Sequence, residues 1–380
     1  MDALTTPSNW QRVRLGDIAE IIGGGTPSTQ ITSFWNGSIN WFTPTEIGIT
    51  KYVYKSQRTI TLLGLKKSSA KLLPIGTILL TSRASIGDCA ILKVVATTNQ
   101  GFQSLIPLEK INNEFLYYLM LTLKNKLLKL ASGSTFLEVS PNKIKNLLIP
   151  LPPLNEQAAI ANVLSDVDRY LYSLDALILK KESVKKALSF ELLSQRKRLK
   201  GFNQAWQKVR LGDICEITTG SLDANEMVHY GKYRFYTCAK EYYFIDKYAF
   251  DTEAILISGN GAYVGYVHYY KGKFNAYQRT YVLDNFSEHI MFVKYFLTMF
   301  LQSHIQTNRN EGNTPYIVMT TLKDFEILLP PLNEQIAIAN ILSGLDHEII
   351  SLKNKKRQFD NIKKALNHDL MSAKIRVLKK

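Results

Sequence analysis

Two stretches of this 380-residue chain are near-copies of two others, and that duplication limits the fold more than any composition figure. Leu154–Asp168 and Leu332–Asp346 are identical at 11 of 15 positions, at an offset of 178. Each follows a Leu-Pro-Pro run, at 151–153 and 329–331. Upstream, Trp10–Ile21 and Trp206–Ile217 agree at 10 of 12 positions, at an offset of 196. One module of roughly 180–200 residues is written twice, so whatever fold it adopts must occur twice.

The change of offset predicts that the second copy lacks 18 residues between about Gly23 and Gly76 of the first. Downstream, an ungapped 178 offset puts Ile255–Gly265 under Thr77–Gly87, Gln278 under Gln100, and Tyr295 under Tyr117. The scaffold is therefore duplicated while its loops differ. Two related heads with different loops are suited to recognising two different things.

Gly76–Ser82 and Cys89–Val95 read as buried strands around the loop 83–87, with another strand edge at 97–102. Glu114 to Leu130 has helical spacing. The triple glycine at 23–25 breaks regular structure, and no Gly-Lys-Ser/Thr follows it to make a phosphate loop. Gly259–Gly265 imitates a dinucleotide fingerprint, but its last glycine is one place late and a strand-like segment follows. A tight turn presenting Asn260 is the expectation there.

After each Leu-Pro-Pro-Leu, Asn155 and Asn333 are expected as helix N-caps. Apolar residues then recur in alternating fours and threes. The first seam is Ile160, Leu164, Val167, Leu171, Leu174, Ile178, Leu188 and Leu192; the second is Ile338, Leu342, Leu345, Ile349, Leu352, Phe359, Leu366 and Leu370. About 45 residues at 1.5 Å per residue make helices of roughly 65–70 Å. Neither is Ala-rich enough to be stable alone at that length, so the two copies are expected to pair as an antiparallel coiled coil with a pseudo-two-fold relation. The fold class expected is α+β, with two mixed α/β globular domains separated by this helix pair.

The chain carries 47 Lys+Arg against 32 Asp+Glu, a net charge of +15. A field of that sign favours a polyanion, most often nucleic acid. No apolar stretch reaches the ~18–20 residues of a membrane span, and the N-terminal residues do not read as a signal peptide. The three cysteines, Cys89, Cys215 and Cys238, form no CxxC pair, which argues against a disulfide framework and a zinc site. A reduced, cytoplasmic protein is expected, with no membrane association.

The order of variable domain, Pro-Pro-Leu-Asn-Glu-Gln helix, second variable domain and second such helix resembles the specificity subunit of type I restriction-modification systems. Gly-Gly-Thr-Pro-Ser at 24–28, Thr-Ser-Arg-Ala-Ser-Ile-Gly at 81–87 and Asn-Gln-Gly-Phe at 99–102 add to the likeness. The resemblance implies two target-recognition domains, at 1–153 and 201–331, each reading half of a split double-stranded DNA sequence. It implies spacer helices at 154–200 and 332–380 that dock two methylation subunits, and restriction subunits in the nuclease form. S-adenosylmethionine and ATP with magnesium would belong to those partners, and no cofactor to this chain.

The residues agree on the lack of chemistry. The Pro-Pro pairs follow Leu151 and Leu329 rather than the Asn or Asp that holds a flipped adenine, and no Walker A motif occurs. An adaptor is the expectation; a standalone two-headed DNA-binding regulator is the alternative. Since Arg suits guanine and Asn or Gln suits adenine, the expected base readers are Arg83, Asn99 and Gln100 in the first head. In the second they are Asn260, Gln278 and Arg279. Thr26, Ser28, Ser134, Thr135, Asn313 and Thr314 are expected phosphate contacts. Glu156, Gln157 and Asn162, with Glu334, Gln335 and Asn340, are expected on outward helix faces that dock the methylation subunits. The basic runs Arg196–Lys200 and Lys374, Arg376, Lys379 and Lys380 are expected to be solvated faces or phosphate contacts. At 3.4 Å per base pair the helices would limit the gap between half-sites to under about 20 bp.

Overall fold

A computed structural model describes residue 7 and residues 9–133, 137–307 and 315–377. The chain divides into two compact units: Met1–Leu174 with Lys355–Lys380, and Asp175–Asn354. Each contains one globular head and a length of both long helices.

In the first unit, Gln11–Arg14 pairs antiparallel with Leu148–Leu151, setting Val13 against Ile149. The chain then turns through Leu15–Asp17, burying Leu15, whose N–H donates to the Leu147 carbonyl at 2.9 Å. The second unit repeats this: Gln207–Arg210 pairs with Glu326–Leu329, Val209 faces Ile327, and Leu211 donates to the Phe325 carbonyl at 2.8 Å. These are the duplicated Trp-x-x-x-x-Leu-Gly-Asp-Ile openings. They close each head by pairing its first strand with its last.

The first head holds a five-stranded sheet ordered Ala19–Gly23, Gln103–Pro107, Ile78–Leu80, Cys89–Leu92 and Tyr52–Val53. Beside it lies a three-stranded sheet ordered Arg58–Ile60, Trp35–Phe42 and Ala96–Thr98. The second head has one six-stranded sheet, ordered Glu216–Thr219, Thr280–Asp284, Phe250–Ser258, Val267–Ala276, Tyr233–Tyr236 and Tyr243–Ile245. A helix packs on each sheet, Asn113–Leu130 in the first and Ile290–Thr307 in the second. The first starts at an Asn112 cap, whose side chain accepts from the Phe115 N–H.

The hydrogen bonds correct the ungapped alignment. Leu80 pairs with Cys89 as Ile257 pairs with Val267, so the offset is 177 on one strand and 178 on the next. The second loop therefore holds one residue more, and Asn260 occupies the position of Arg83. The helices behind the sheets also match at 177, which puts Tyr295 in the place of Tyr118 rather than Tyr117. The parallel pairs Phe42–Thr98 and Tyr236–Ala276 are equivalent, so most of the missing residues come from the stretch after Phe42. The first head uses that stretch for Tyr52–Val53, Arg58–Ile60 and the helix Leu62–Lys66.

The long helices are Leu154–Leu193 and Leu332–Met371, 40 residues each. Each starts one residue before the expected cap. The Pro153 and Pro331 carbonyls accept the first helical N–H bonds, from Glu156 and Gln157 and from Glu334 and Gln335. Asn155 lies inside the first turn, where its side chain accepts from the Glu156 N–H at 3.0 Å. A proline just before a helix loses nothing by having no N–H, because that donor has no intrahelical acceptor.

Within each unit the two helical segments run antiparallel. In the second, contacts of Lys181, Lys185 and Arg198 fall on Glu348, Asp346 and Glu334 in turn. In the first, Glu156, Asp168 and Tyr170 meet Arg376, Lys363 and Phe359. Ile160, Leu164, Ile338 and Leu342 are almost wholly buried. Each such side chain contributes about 1.5–3 kcal/mol, against roughly 0–1 kcal/mol for an exposed ion pair. The apolar seam holds the pair, and the charges fix its register.

Candidate nucleic-acid interface

In the first unit the loops at one end of the strands are drawn together by backbone and tryptophan contacts. Gly24 N–H donates to the Phe102 carbonyl and Gly25 N–H to that of Thr98. A Cβ on Gly24 would lie 1.9 Å from the Asn99 oxygen, so glycine is required for this approach. The Trp41 indole donates to the Gly25 carbonyl at 2.9 Å and the Trp35 indole to that of Ser28 at 3.0 Å. The two rings meet edge to face at 5.0 Å, and the Arg58 guanidinium lies 3.8 Å over Trp35. The tryptophans pin both sides of the loop that brings Thr26 to Gln100, whose side chains hydrogen-bond.

Ser82 reaches this cluster by donating its N–H to the Gly101 carbonyl at 2.8 Å. Asn99 uses its side chain locally, accepting from the Gly101 N–H at 2.8 Å. Arg83, next along, pairs with Glu138 at 3.1 Å while both side chains stay partly open to solvent. Thus Arg83, Asn99, Gln100, Thr26 and Ser28 belong to one surface, which the Asn99 side-chain oxygen helps to shape. Ser134 and Thr135 lie outside the described residues.

The second unit builds the same junction from other side chains. Gly220 approaches the Ala276 carbonyl so closely that a Cβ would lie 1.8 Å from it. Gly259 N–H donates to the Arg279 carbonyl at 2.8 Å, the counterpart of Ser82 on Gly101. Asn260 and Tyr316, at the positions of Arg83 and Glu138, pair through their backbones. Gln278 N–H donates to the Leu222 carbonyl, and both Gln278 and Arg279 are exposed. Gly261, at φ +79°, makes the expected turn after Asn260. Asn313 and Thr314 lie outside the described residues.

His268 steadies this second cluster, its Nε2 standing 2.9 Å from the Ala239 carbonyl. Burial holds its pKa below the usual histidine value, against that hydrogen bond. Tyr263 and Tyr266 add exposed aromatic surface, with the Lys240 ammonium 5.1 Å from the Tyr263 ring. Sequence reasoning missed Trp35, Trp41, Glu138, Tyr316 and His268, which position the loops. The tryptophans gave a signal, as amphipathic rings beside a glycine run, but their acceptors are backbone atoms that no motif records.

Both heads thus present one loop position, Arg83 in one and Asn260 in the other, on matching frameworks. Residues 7–181 and 203–359 match the family model described as type I restriction modification DNA specificity domain. The chain belongs to the type I restriction-modification specificity subunits. It is 30% identical to the MjaIX specificity subunit of Methanocaldococcus jannaschii, over 98% of this chain and 94% of that one. It is 38% identical to the EcoDI specificity subunit of Escherichia coli, over 44% of this chain and 37% of that one. In fold it resembles the crystal structure of the type I restriction-modification S subunit from M. genitalium. That likeness has a TM-score of 0.64 at 18% identity, and covers 98% of this chain and 97% of the other.

As a specificity subunit the chain is the non-catalytic member of its system, the enzymatic activities belonging to partner subunits. No group of three or more His, Cys, Asp or Glu among its described residues could hold a metal ion. None of its described helices is long and apolar enough to cross a membrane.

The long helices of this specificity subunit correct one expectation. Glu156, Gln157, Glu334 and Gln335 do not face outward; each is 1–2% exposed. Glu156 accepts from the Trp10 indole at 3.1 Å and from two Arg376 nitrogens at 2.5 and 2.8 Å. Glu334 accepts from the Trp206 indole at 3.1 Å and from Arg198 at 2.6 and 3.2 Å. Arg198 and Arg376 are therefore not solvated ends of basic runs. Gln157 accepts from the Asn112 N–H and Gln335 from the His289 N–H, at 2.8 and 3.0 Å. Glu and Gln stay buried because each finds its full set of partners. Asn162 and Asn340 remain exposed.

A second duplicated node lies further along. The Tyr118 hydroxyl donates to Asp168 at 2.5 Å and the Tyr295 hydroxyl to Asp346 at 2.6 Å. Burial and that hydrogen bond raise the pKa of both tyrosines. Burial pushes Asp346 up, but Lys185 and Tyr295 outweigh it and hold its carboxyl below the usual range.

Proposed function

We propose that this specificity subunit reads an asymmetric, bipartite sequence in double-stranded DNA in the cytoplasm, one half-site with residues 1–153 and the other with 201–331. The observation that carries the reading is the pair Arg83 and Asn260: equivalent loop positions on equivalent frameworks with different side chains. Arg favours guanine and Asn favours adenine, so one scaffold presents two different letters. Gln100, Gln278 and Arg279 extend the two surfaces, with Thr26 and Ser28 set for phosphate oxygens. The net charge of +15 supports a polyanionic ligand.

The helices at 154–200 and 332–380 dock two methylation subunits, and restriction subunits join through them. With Glu156, Gln157, Glu334 and Gln335 buried, the docking face comprises Asn162, Asn340 and nearby exposed side chains. Exposed apolar residues recur at the 178 offset, Tyr172 with Ile350 and Val184 with Ile362, and this repetition supports two like partners. S-adenosylmethionine, ATP and magnesium belong to the partners.

Co-purification with a methylation subunit, followed by sequencing of methylated adenines, tests the reading. Two methylation subunits per chain and one split, asymmetric motif are expected. Tight specific DNA binding by a chain that captures no methylation subunit would instead establish a standalone regulator.

A further inference from the structure

The first unit carries a cationic pocket apart from the side chains proposed to read bases. A cavity of about 450 Å3 is lined by Arg12, Lys126, Lys143, Asn142 and Asn146 over a floor of leucines, with no carboxylate among its walls. Lys143 is aimed by two acceptors, its ammonium donating to the Leu130 carbonyl and the Ser132 hydroxyl, both at 2.8 Å. Arg12 and Lys126 are exposed, and no described carboxylate pairs with either. Like charges gathered without an acid repel one another, by about 1 kcal/mol for a pair 4 Å apart in water. An anion in the pocket would relieve that.

Lys143 serves the scaffold at the helix end, and Arg12 does not. The helix end at Leu130 attracts positive charge and accounts for Lys126, but Arg12 comes from a strand of the closing pair. In the second unit the matching positions are Lys208, Ser303, Thr321 and Asp324, and Lys208 pairs with Glu326 at 2.5 Å. The same framework closes there with its charge balanced.

The pocket adjoins the reading loop by two routes. Lys124, two residues before Lys126 on the same helix, pairs with Asp88 at 2.5 Å and packs against Gly87. Ser132, which accepts from Lys143, exchanges backbone hydrogen bonds with Glu138, the partner of Arg83. We propose that this pocket binds one phosphate of the DNA backbone beside the half-site read by the first head. Guanidinium and ammonium groups are the usual donors to phosphate oxygens, and such contacts position a protein on DNA without reading sequence. The inference rests on the proposed DNA reading of that head and adds a contact to it.

The test measures binding of the full chain, with its methylation subunits, to its target duplex and a scrambled duplex over a range of salt. One phosphate contact contributes about 0.9 to the slope of log affinity against log salt. The Arg12→Gln/Lys126→Gln variant should lose that increment on both duplexes, so that its deficit shrinks about three- to fourfold between 50 and 200 mM salt. Lys208→Gln, at the matching place in the second unit, should leave the slope unchanged. An unchanged slope in the double variant overturns the pocket, as does a loss confined to the target duplex. A melting-temperature rise from inorganic phosphate that the double variant lacks, with no change in slope, assigns the pocket to a free anion and overturns the DNA contact. Equal wild-type affinity for both duplexes instead overturns the proposed reading of sequence, while the change in slope still decides the pocket.

Discussion

Arg376 and Glu156 stand 220 residues apart in sequence and form a two-pronged ion pair that also receives the Trp10 indole. Glu156 is 2% exposed, so its oxygens rely on these partners for hydrogen bonds. Removing one member of a buried pair leaves the other uncompensated and costs about 3–5 kcal/mol. Arg376→Ala should therefore destabilise the first unit by about 3 kcal/mol or more in chemical denaturation. Glu156→Gln should cost less, since Arg376 is partly open to solvent. A loss below about 1 kcal/mol for Arg376→Ala would show that water replaces the guanidinium there.

The two tyrosine–aspartate bonds should behave as equivalents. Tyr118→Phe and Tyr295→Phe each leave a half-buried carboxylate short of one donor, for a loss on the order of 1–3 kcal/mol. If only one variant loses stability on denaturation, the one-residue shift between the two helices is not an equivalence.

Exchange of the reading residues should act on one half-site at a time. Arg83→Asn should turn guanine preference toward adenine at one position in one half of the methylated motif, with discrimination changing by about 1–3 kcal/mol. Asn260→Arg should do the converse in the other half. Sequencing of methylated adenines checks both, and a change in the unmodified half would sink the assignment.

His268 should make the second unit less stable in acid. Its folded pKa lies below the unfolded value near 6.5, so the unfolded state takes up the proton first as pH falls. The stability is present above about pH 6.5 and is lost as pH drops through the folded value. Between pH 7.5 and 5.5 the melting temperature of the wild type should fall further than that of His268→Gln. Parallel curves would mean that the ring is protonated at no cost.

The duplicated architecture was legible because the chain carries its own alignment. Leu154–Asp168 and Leu332–Asp346 set two helices, the apolar seam called for pairing, and the duplication within one chain gave the antiparallel sense. What was not legible were partners distant in sequence. Glu156 and Gln157 look like a solvated helix start until Trp10, Arg376 and Asn112 arrive to enclose them. The equivalence of Arg83 with Asn260 was hidden by a single extra residue in the second loop, visible only through strand pairing. Loop convergence depends on backbone carbonyls accepting from Trp35 and Trp41, and carbonyls leave no mark in a sequence.

The pair formed by Arg376 and Glu156 also bears on the order of events during synthesis. The second unit is one continuous run, 175–354, and every residue it needs has been made once that run has left the ribosome. The first unit begins earlier but also includes 355–380, so it is complete only about 200 residues after Leu174. At roughly 5–20 residues per second that interval is about 10–40 s. Throughout it Glu156 and Trp10 lack their arginine, and the half translated first is the last to be completed.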